Sequence, residues 1–403
     1  MAVIGIIATL DTKSEEASFL KKCIEKRGHQ ALLIDTGMLH PPGTDPDISR
    51  QKVFGCADEG ELGECIKHGK SELQRIMTTG LGNKLVQLQR DGIIQGVISI
   101  GGGQGTAIST KAMQKLPIGF PKVMISTVAC GTALFGDYVG YRDIVMIPAI
   151  VDICGINEIT SVILSSGCGA VIGMAESALN VRDGSRKPVV AMTMAGVTTA
   201  CVMQVKKLLD EKGVETIVCH TNVAGTATVD EMAKTGKISA VLDITTHEIS
   251  GYLFGGLMAG NQNRFTNVYK SGIPVISVPG ASDFLLRGPV EGLDKALQER
   301  KYYKHTPFHT HVRTSKNEMY MMGRFLAEVH NKIKGRNEIL IPLQGFSQQN
   351  KKGCAIYDEE ANQGFVDGVM ESVDKRVKVH VCDMHINDDV FAMEIVKELE
   401  GLL

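Results

Sequence analysis

The sequence predicts an α/β protein built from two Rossmann-like domains, each a doubly wound, mainly parallel sheet, with a ligand cleft between them. Three observations predict it. The chain has 403 residues, and at about 100–200 residues per domain that length favours two cores over one. Short β-branched apolar runs, the form of strands covered on both faces, alternate with segments of helical period. This alternation breaks once, in the polar, turn-prone stretch 180–187 with Arg182, Asp183, Gly184 and Arg186, and then restarts. The boundary is therefore expected between 183 and 184, giving domains 1–183 and 184–403.

Taken in order, residues 2–8 are the first strand, ending at Thr9-Leu10-Asp11-Thr12-Lys13. A helix follows in which Ala17, Leu20 and Ile24 recur at helical spacing until Gly28 stops it. Residues 31–35 form the second strand, closing a βαβ unit whose right-handed crossover implies a parallel sheet. The pattern continues with a helix near 73–91, a strand at 96–100, the loop Gly101-Gly102-Gly103-Gln104-Gly105-Thr106 opening another helix, and a strand at 122–126 that leads into Ser126-Thr127. The Gly-, Ser- and Ala-rich segment 159–179 reads as a closely packed helix.

In the second half, 188–194 is a strand that turns through Ala195-Gly196-Val197-Thr198-Thr199 into a helix ending at Gly213. Strands follow at 216–220, 240–244 and 275–278, with Ala224-Gly225-Thr226-Ala227-Thr228 opening a helix after the first of them. Met319, Met321, Met322, Phe325, Leu326 and Val329 make one helical apolar face, suited to a core or a subunit interface, and a homo-oligomer, a dimer, is expected. Residues 389–403 read as a docking helix.

Composition excludes several function classes. With 43 Lys+Arg against 45 Asp+Glu the net charge is −2, so there is no electrostatic footprint for nucleic acid or an anionic membrane. The 10 cysteines fall in no CxxC pair or regular framework, and reduced thiols in a cytoplasmic protein are expected. Residues 1–10 lack the basic leader of a signal peptide, and no 18-residue membrane span is expected. The 44 glycines against 12 prolines have no collagen-like period and mark many tight turns.

In an open parallel sheet, ligands sit beyond the carboxyl ends of the strands, where loops meet helix N-termini. Thr9, Thr12, Lys13, Asp35, the run 101–106 and Ser126-Thr127 all fall on that edge of the first domain. Glycines there let backbone N–H groups approach an anion, and the helix dipole favours negative charge; the same loops also suit plain strand-to-helix turns. The run is not a Walker A loop, since Gly69-Lys70-Ser71 has Glu64 where the first glycine belongs. Nor is it the dinucleotide fingerprint, which needs Gly or Ala where Thr106 stands. In the second domain Gly196, Thr198, Thr199, Gly225 and Thr226 are candidates for holding a substrate's anion, or for ordinary capping. Glu248 and His247 are acid/base candidates beside Asp243.

His305, His309 and His311, and separately His380, Asp383 and His385, offer metal-ligand residue types. Neither set has the HExxH or Cys/His finger spacing, Pro307 argues for an extended loop, and no built-in metal is expected. No cysteine has a convincing nucleophile's setting; Cys130 before Gly131 falls near the ligand edge, and its placement also suits a small buried residue. Ser161, Ser165 and Ser166 lack the Gly-x-Ser-x-Gly elbow.

Together the loops resemble the Tm-1-like family, also called UPF0261. The resemblance rests on Ala8-Thr9-Leu10-Asp11-Thr12-Lys13, Asp35-Thr36-Gly37, Gly101 to Thr106 and Ser126-Thr127 in the first half. In the second half it rests on Gly196-Val197-Thr198-Thr199, Asp243 to Glu248, Gly272-Ile273-Pro274-Val275, Pro279-Gly280-Ala281 and His385-Ile386-Asn387-Asp388. It spans essentially the whole chain, through the order of the motifs. It departs at Ser282-Asp283-Phe284-Leu285-Leu286-Arg287-Gly288 and at His305-Thr306-Pro307, both in the second half. The resemblance implies an ATP-binding first domain, with Thr9, Thr12, Lys13, Asp35, Gly101, Gly102, Gly103, Gly105, Thr106, Ser126 and Thr127 at the nucleotide. It implies Asp35 on a ribose hydroxyl, the glycine loop on phosphates and Mg²⁺ between phosphates. The alternative expectation is a hydrolase or lyase acting on a small carboxylated or sugar-derived metabolite in the cleft.

Overall fold

In the computed structural model the sequence's βαβ alternation becomes two compact units, Met1–Gly184 and Ser185–Leu403. The structure describes residues 1–57, 69–130, 135–180, 187–260 and 264–403. Glu64, Gly131, and the break residues Arg182, Asp183, Gly184 and Arg186 lie outside them.

The first unit holds a five-stranded parallel sheet of β1 (Val3–Ala8), β2 (Gln30–Asp35), β3 (Gly96–Gly101), β4 (Lys122–Ser126) and β5 (Val145–Pro148). Its order is β2-β1-β3-β4-β5. β1 is an interior strand, with Ile6 opposite Leu33 on one side and Ile98 on the other. Because helices cover both faces, its strands carry unbroken apolar runs. On one face Ala17, Leu20 and Ile24 of α1 (Ser14–Lys26) pack with Leu164, Cys168 and Val171. Those three belong to a later helix that ends the unit, Glu158–Asn180. The other face is covered by α2 (Arg50–Gly55), α3 (Lys70–Arg90) and α4 (Gly103–Met113). After α5 (Phe135–Val139) the long closing helix is α6.

Against the expectation of no membrane-length apolar segment, α6 is long and apolar enough over 158–178 to cross a membrane by length and composition. Its Leu164, Cys168, Val171 and Ala175 stripe lies buried in the sheet-covering core, while Ile159 and Val162 are exposed.

The second unit has a six-stranded parallel sheet: β6 (Val189–Met194), β7 (Glu215–His220), β8 (Ala240–Thr245), β9 (Val275–Gly280), β13 (Asn337–Pro342) and β14 (Lys378–Cys382). Its order is β14-β13-β9-β8-β6-β7. Numbered along its own chain this reads 2-1-3-4-5-6, so both sheets place their first strand between their second and third. α7 (Thr199–Glu211) and the terminal helix Asp389–Leu402 cover one face. The other face is covered by α8 (Val223–Lys234), α10 (Thr266–Ser271), α12 (Lys316–His330) and α13 (Glu359–Ser372). The short helices α9 (Glu248–Phe254) and α11 (Lys295–Gln298) lie between these, and the terminal helix is α14. Met319, Met322 and Leu326 of α12 are core residues, and Met321 is exposed.

Between β9 and β13 the chain forms an antiparallel sheet, β10 (Phe284–Arg287), β12 (His309–Arg313) and β11 (Tyr302–Thr306), in the order β10-β12-β11. The extended loop expected around Pro307 is therefore the turn of a hairpin. Its outer strand β11 is mostly exposed, so no apolar alternation announced it.

Candidate functional site

In the order β2-β1-β3-β4-β5 the chain reverses direction across the sheet between β1 and β3, and the loops leaving those two strands part to form a crevice. A cavity of about 250 Å³ lies there. Thr9, Asp11, Thr12 and Lys13 from the β1 loop make one wall, Met38 and Leu39 after β2 another, and residues 102–105 the third.

Two helix starts meet at this cavity. Gly102 is the N-cap of α4 and Lys13 the N-cap of α1, and neither helix has a side-chain cap. Their first-turn amides are thus left to water or to a ligand. Gly103 stands open, the nearest atom to a Cβ built on it being Val128 Cγ1 at 4.0 Å. The Thr9 and Thr12 hydroxyls lie 2.9 Å apart. Lys13 Nζ donates to the Ile153 carbonyl at 2.6 Å, which holds the ammonium beside the crevice. Asp11 Oδ2 accepts from three successive amides, Met38 at 3.1 Å, Leu39 at 3.0 Å and His40 at 3.3 Å, and so ties the second wall to the first.

Of the first-domain residues expected to hold nucleotide, the cavity gathers Thr9, Thr12, Lys13, Gly102, Gly103 and Gly105. The other five do not line it, though Thr127 Oγ1 stands 3.7 Å from a Cβ built on Gly102 of the lining. Asp35 is 1% exposed; its Oδ1 accepts from Leu10 N and Gly37 N, and its Oδ2 from Arg50 Nε at 2.6 Å. Asp35 is not among the residues lining the cavity, and its carboxylate is engaged in a buried ion pair with Arg50 rather than standing open for a ribose hydroxyl. Thr106 and Ser126 are fully buried and share a hydroxyl hydrogen bond of 2.6 Å. Gly101 lies at the end of β3, where a Cβ would come 3.0 Å from Gly105 Cα, and the Thr127 amide donates to its carbonyl. Sequence reasoning missed Asp11, Met38, Leu39 and Gln104; Asp11 and Gln104 stood inside motifs already singled out.

In the second unit the equivalent crevice lies between the loops after β6 and β8. Gly196 is exposed, but the hydroxyls beside it face inward. Thr198 Oγ1 lies 2.7 Å from Thr245 Oγ1, and Thr199 Oγ1 donates to the Ala195 carbonyl. A Cβ on Gly225 would stand 2.0 Å from the His220 carbonyl oxygen. That glycine is thus required for close packing, and where an anion nest was expected the first turn of α8 is capped by Asn222 Oδ1, which accepts from the Gly225 amide at 2.8 Å.

Glu248 is likewise committed. Its Oε1 accepts from Thr226 Oγ1 at 2.8 Å and its Oε2 from Arg264 Nε at 2.9 Å, while Arg264 grips both oxygens of Asp243 at 2.5 and 2.8 Å. Burial works against the Arg264 charge, but the two carboxylates, Asp243 foremost, outweigh it and raise its pKa. His247 differs. Its Nδ1 donates to the carbonyl of Ala281, a residue held at φ 59, at 2.9 Å, and its buried Nε2 has no hydrogen-bond partner among the described residues. Burial lowers its pKa, so the ring is neutral with a free lone pair on Nε2.

The histidine clusters also rearrange. His305, His311 and Phe284 stack, with centroids 4.5 and 3.9 Å apart, and burial, with His305 beside it, pushes His311 down to about 3. Among the described residues these rings form no three-donor group. Asp383 accepts from Gln344, and His385 Nε2 bonds the Ser347 carbonyl, so neither joins His380.

Two family models cover the chain: the N-terminal domain of the uncharacterised protein family UPF0261 over residues 2–180, and its C-terminal domain over 187–403. The chain belongs to the UPF0261 family. A UPF0261 protein of Clostridium tetani is 35% identical over 99% of this chain and 98% of its own length. The ToMV susceptible protein tm-1 of tomato, Solanum lycopersicum, is 33% identical over 97% of this chain, which spans 54% of the plant protein. Among solved structures, UDP-GlcNAc 2-epimerase of Methanocaldococcus jannaschii aligns over 100% of both chains at 10% identity, with a TM-score of 0.25. A likeness that slight carries no argument about what a UPF0261 protein binds.

Proposed function

We propose that this UPF0261 protein binds ATP through its phosphates, in the first-unit crevice between the β1 and β3 loops. The observation that carries the reading is the meeting of two helix starts without side-chain caps, α1 and α4, at a cavity flanked by Lys13 and placed where the sheet's strand order reverses. Oriented amides and an ammonium favour a multiply charged anion. The cavity, about 250 Å³, falls below the roughly 300–1,000 Å³ of sites that enclose whole organic ligands. It suits the phosphate tail, with the nucleoside lying outside against the exposed Leu39. Asp11 is the carboxylate on the wall, and its Oδ1 is the oxygen left to meet Mg²⁺ between phosphates.

Calorimetric titration with Mg-ATP, and with inorganic phosphate alone, tests this. Wild type should release heat with Mg-ATP, Thr12→Ala should bind less tightly, and Gly103→Val should not bind. No heat from wild type sinks the reading.

A second reading is favoured by the free His247 Nε2: acid/base chemistry on a small carboxylated or sugar-derived metabolite in the second unit. Glu248, with both oxygens engaged, would position rather than transfer protons. In a substrate screen, turnover that survives His247→Gln would remove this reading.

A further inference from the structure

Away from both crevices, three chain segments converge on one imidazole. β13 and β14 are parallel neighbours with Glu338 opposite Lys378, and His380 follows two residues on, on the same face. Glu398 reaches the same point from α14. His380 Nε2 lies 2.9 Å from Glu338 Oε2 and 3.7 Å from Glu398 Oε2, and the three potential ligand atoms are all within 4.8 Å of one another. The Glu338 side chain is 2% exposed, that of Glu398 16% and that of His380 26%.

One ring nitrogen carries at most one proton and can bond one of the two carboxylates at a time. A divalent cation in place of that proton would engage all three groups together. At metal–ligand distances of about 2.0–2.2 Å, neighbouring donors in octahedral or tetrahedral coordination stand about 2.8–3.6 Å apart. The two separations from His380, 2.9 and 3.7 Å, meet that spacing within about 0.1 Å, and the two carboxylate oxygens lie within 4.8 Å of each other.

We propose that Glu338, His380 and Glu398 form a site for a borderline divalent metal of the zinc class. One nitrogen and two carboxylate oxygens suit such an ion better than calcium or magnesium, which take oxygen ligands. The partly open side toward His380 leaves room for water as a further ligand. Lys378 Nζ, 3.0 Å from Glu338 Oε1, orients that carboxylate from outside and opposes the cation's charge. The site clips edge strand β14 and helix α14 together, and it is independent of the phosphate reading above.

The test is zinc titration of the full chain after chelator treatment, by calorimetry and elemental analysis. Wild type should take up one Zn²⁺, and His380→Ala and Glu398→Gln should bind at least about tenfold more weakly. His305→Ala, in the other histidine cluster, should bind as wild type does. Matched metal-free melting curves establish that the variants fold. A wild type that takes up no zinc, or a His380→Ala that binds as tightly as wild type, would each overturn the site, leaving a shared proton as the occupant.

Discussion

Arg50 Nε lies 2.6 Å from Asp35 Oδ2, and both side chains are buried, at 8% and 1% exposure. The pair joins the end of β2 to the start of α2. Arg50 Nη1 also donates to the His40 carbonyl at 2.7 Å, so one guanidinium fixes the chain on both sides of the loop that supplies Met38 and Leu39 to the cavity.

Asp35→Ala should therefore act on folding. It leaves Arg50 buried and unpaired, at a cost of about 3–5 kcal/mol, and Asp35→Ala/Arg50→Met should recover part of it. Urea unfolding of the three proteins measures both; a stable Asp35→Ala variant with selectively weakened ATP binding would restore the ribose role.

Two glycines in the first turns of helices α4 and α8 should respond oppositely to one methyl group. Gly225→Ala drives a Cβ to 2.0 Å from the His220 carbonyl oxygen and should cost about 1–3 kcal/mol through backbone shifts. Gly103→Ala, with 4.0 Å of clearance, should stay within about 0.5 kcal/mol of wild type. Thermal melts side by side separate the packing glycine from the open one.

His330 is 1% exposed, with Nδ1 2.8 Å from Asn337 Oδ1, and burial lowers its pKa from 6.5 to about 4. The unfolded chain takes up this proton near pH 6.5, the folded chain only near 4. The contribution is thus complete above pH 6.5 and is lost as pH falls from 6.5 to 4, a change of about 3 kcal/mol. His311, pushed down to about 3, adds in the same direction. Unfolding free energies measured across pH 4–7 should rise more shallowly in His330→Gln; an unchanged slope would show that this histidine does not titrate as stated.

Thiol reactivity should follow burial. Cys130, Cys154 and Cys354 are exposed, whereas burial pushes the Cys168 and Cys201 thiols up to about 12. A disulfide reagent at pH 8 should label the first three rapidly and the last two only on unfolding. Peptide mapping against time reads this directly.

Much of the fold was legible because strands covered on both faces carry continuous apolar runs and the helices end at clear stops. Gly28 and Gly213, expected to end helices, both have positive φ, at 80 and 76. β5 has no fully buried residue and β11 is mostly exposed, which hid both, whereas β10, β12, β13 and β14 were not expected either, although β13 is buried throughout. The cavity's glycines and hydroxyls were readable because they adjoin strand ends in sequence. What Asp35, Thr106 and Ser126 do was not, since each is claimed by a partner 15 to 20 residues distant, Arg50 for the first and one another for the second pair. Which of several equally polar side chains turns inward is settled by tertiary packing, which leaves no local pattern.

The matching strand order of the two sheets bears on how the chain is made. In each unit the strand that is synthesised first ends up inside the sheet, so it must wait for its second and third neighbours before its edges are covered. In the first unit this wait ends once β3 has emerged, and α6, which closes one face, is complete at Asn180. The amino-terminal unit can therefore finish folding on the ribosome before the second begins, so that two slow parallel sheets need not form, with unpaired strand edges exposed, at the same time.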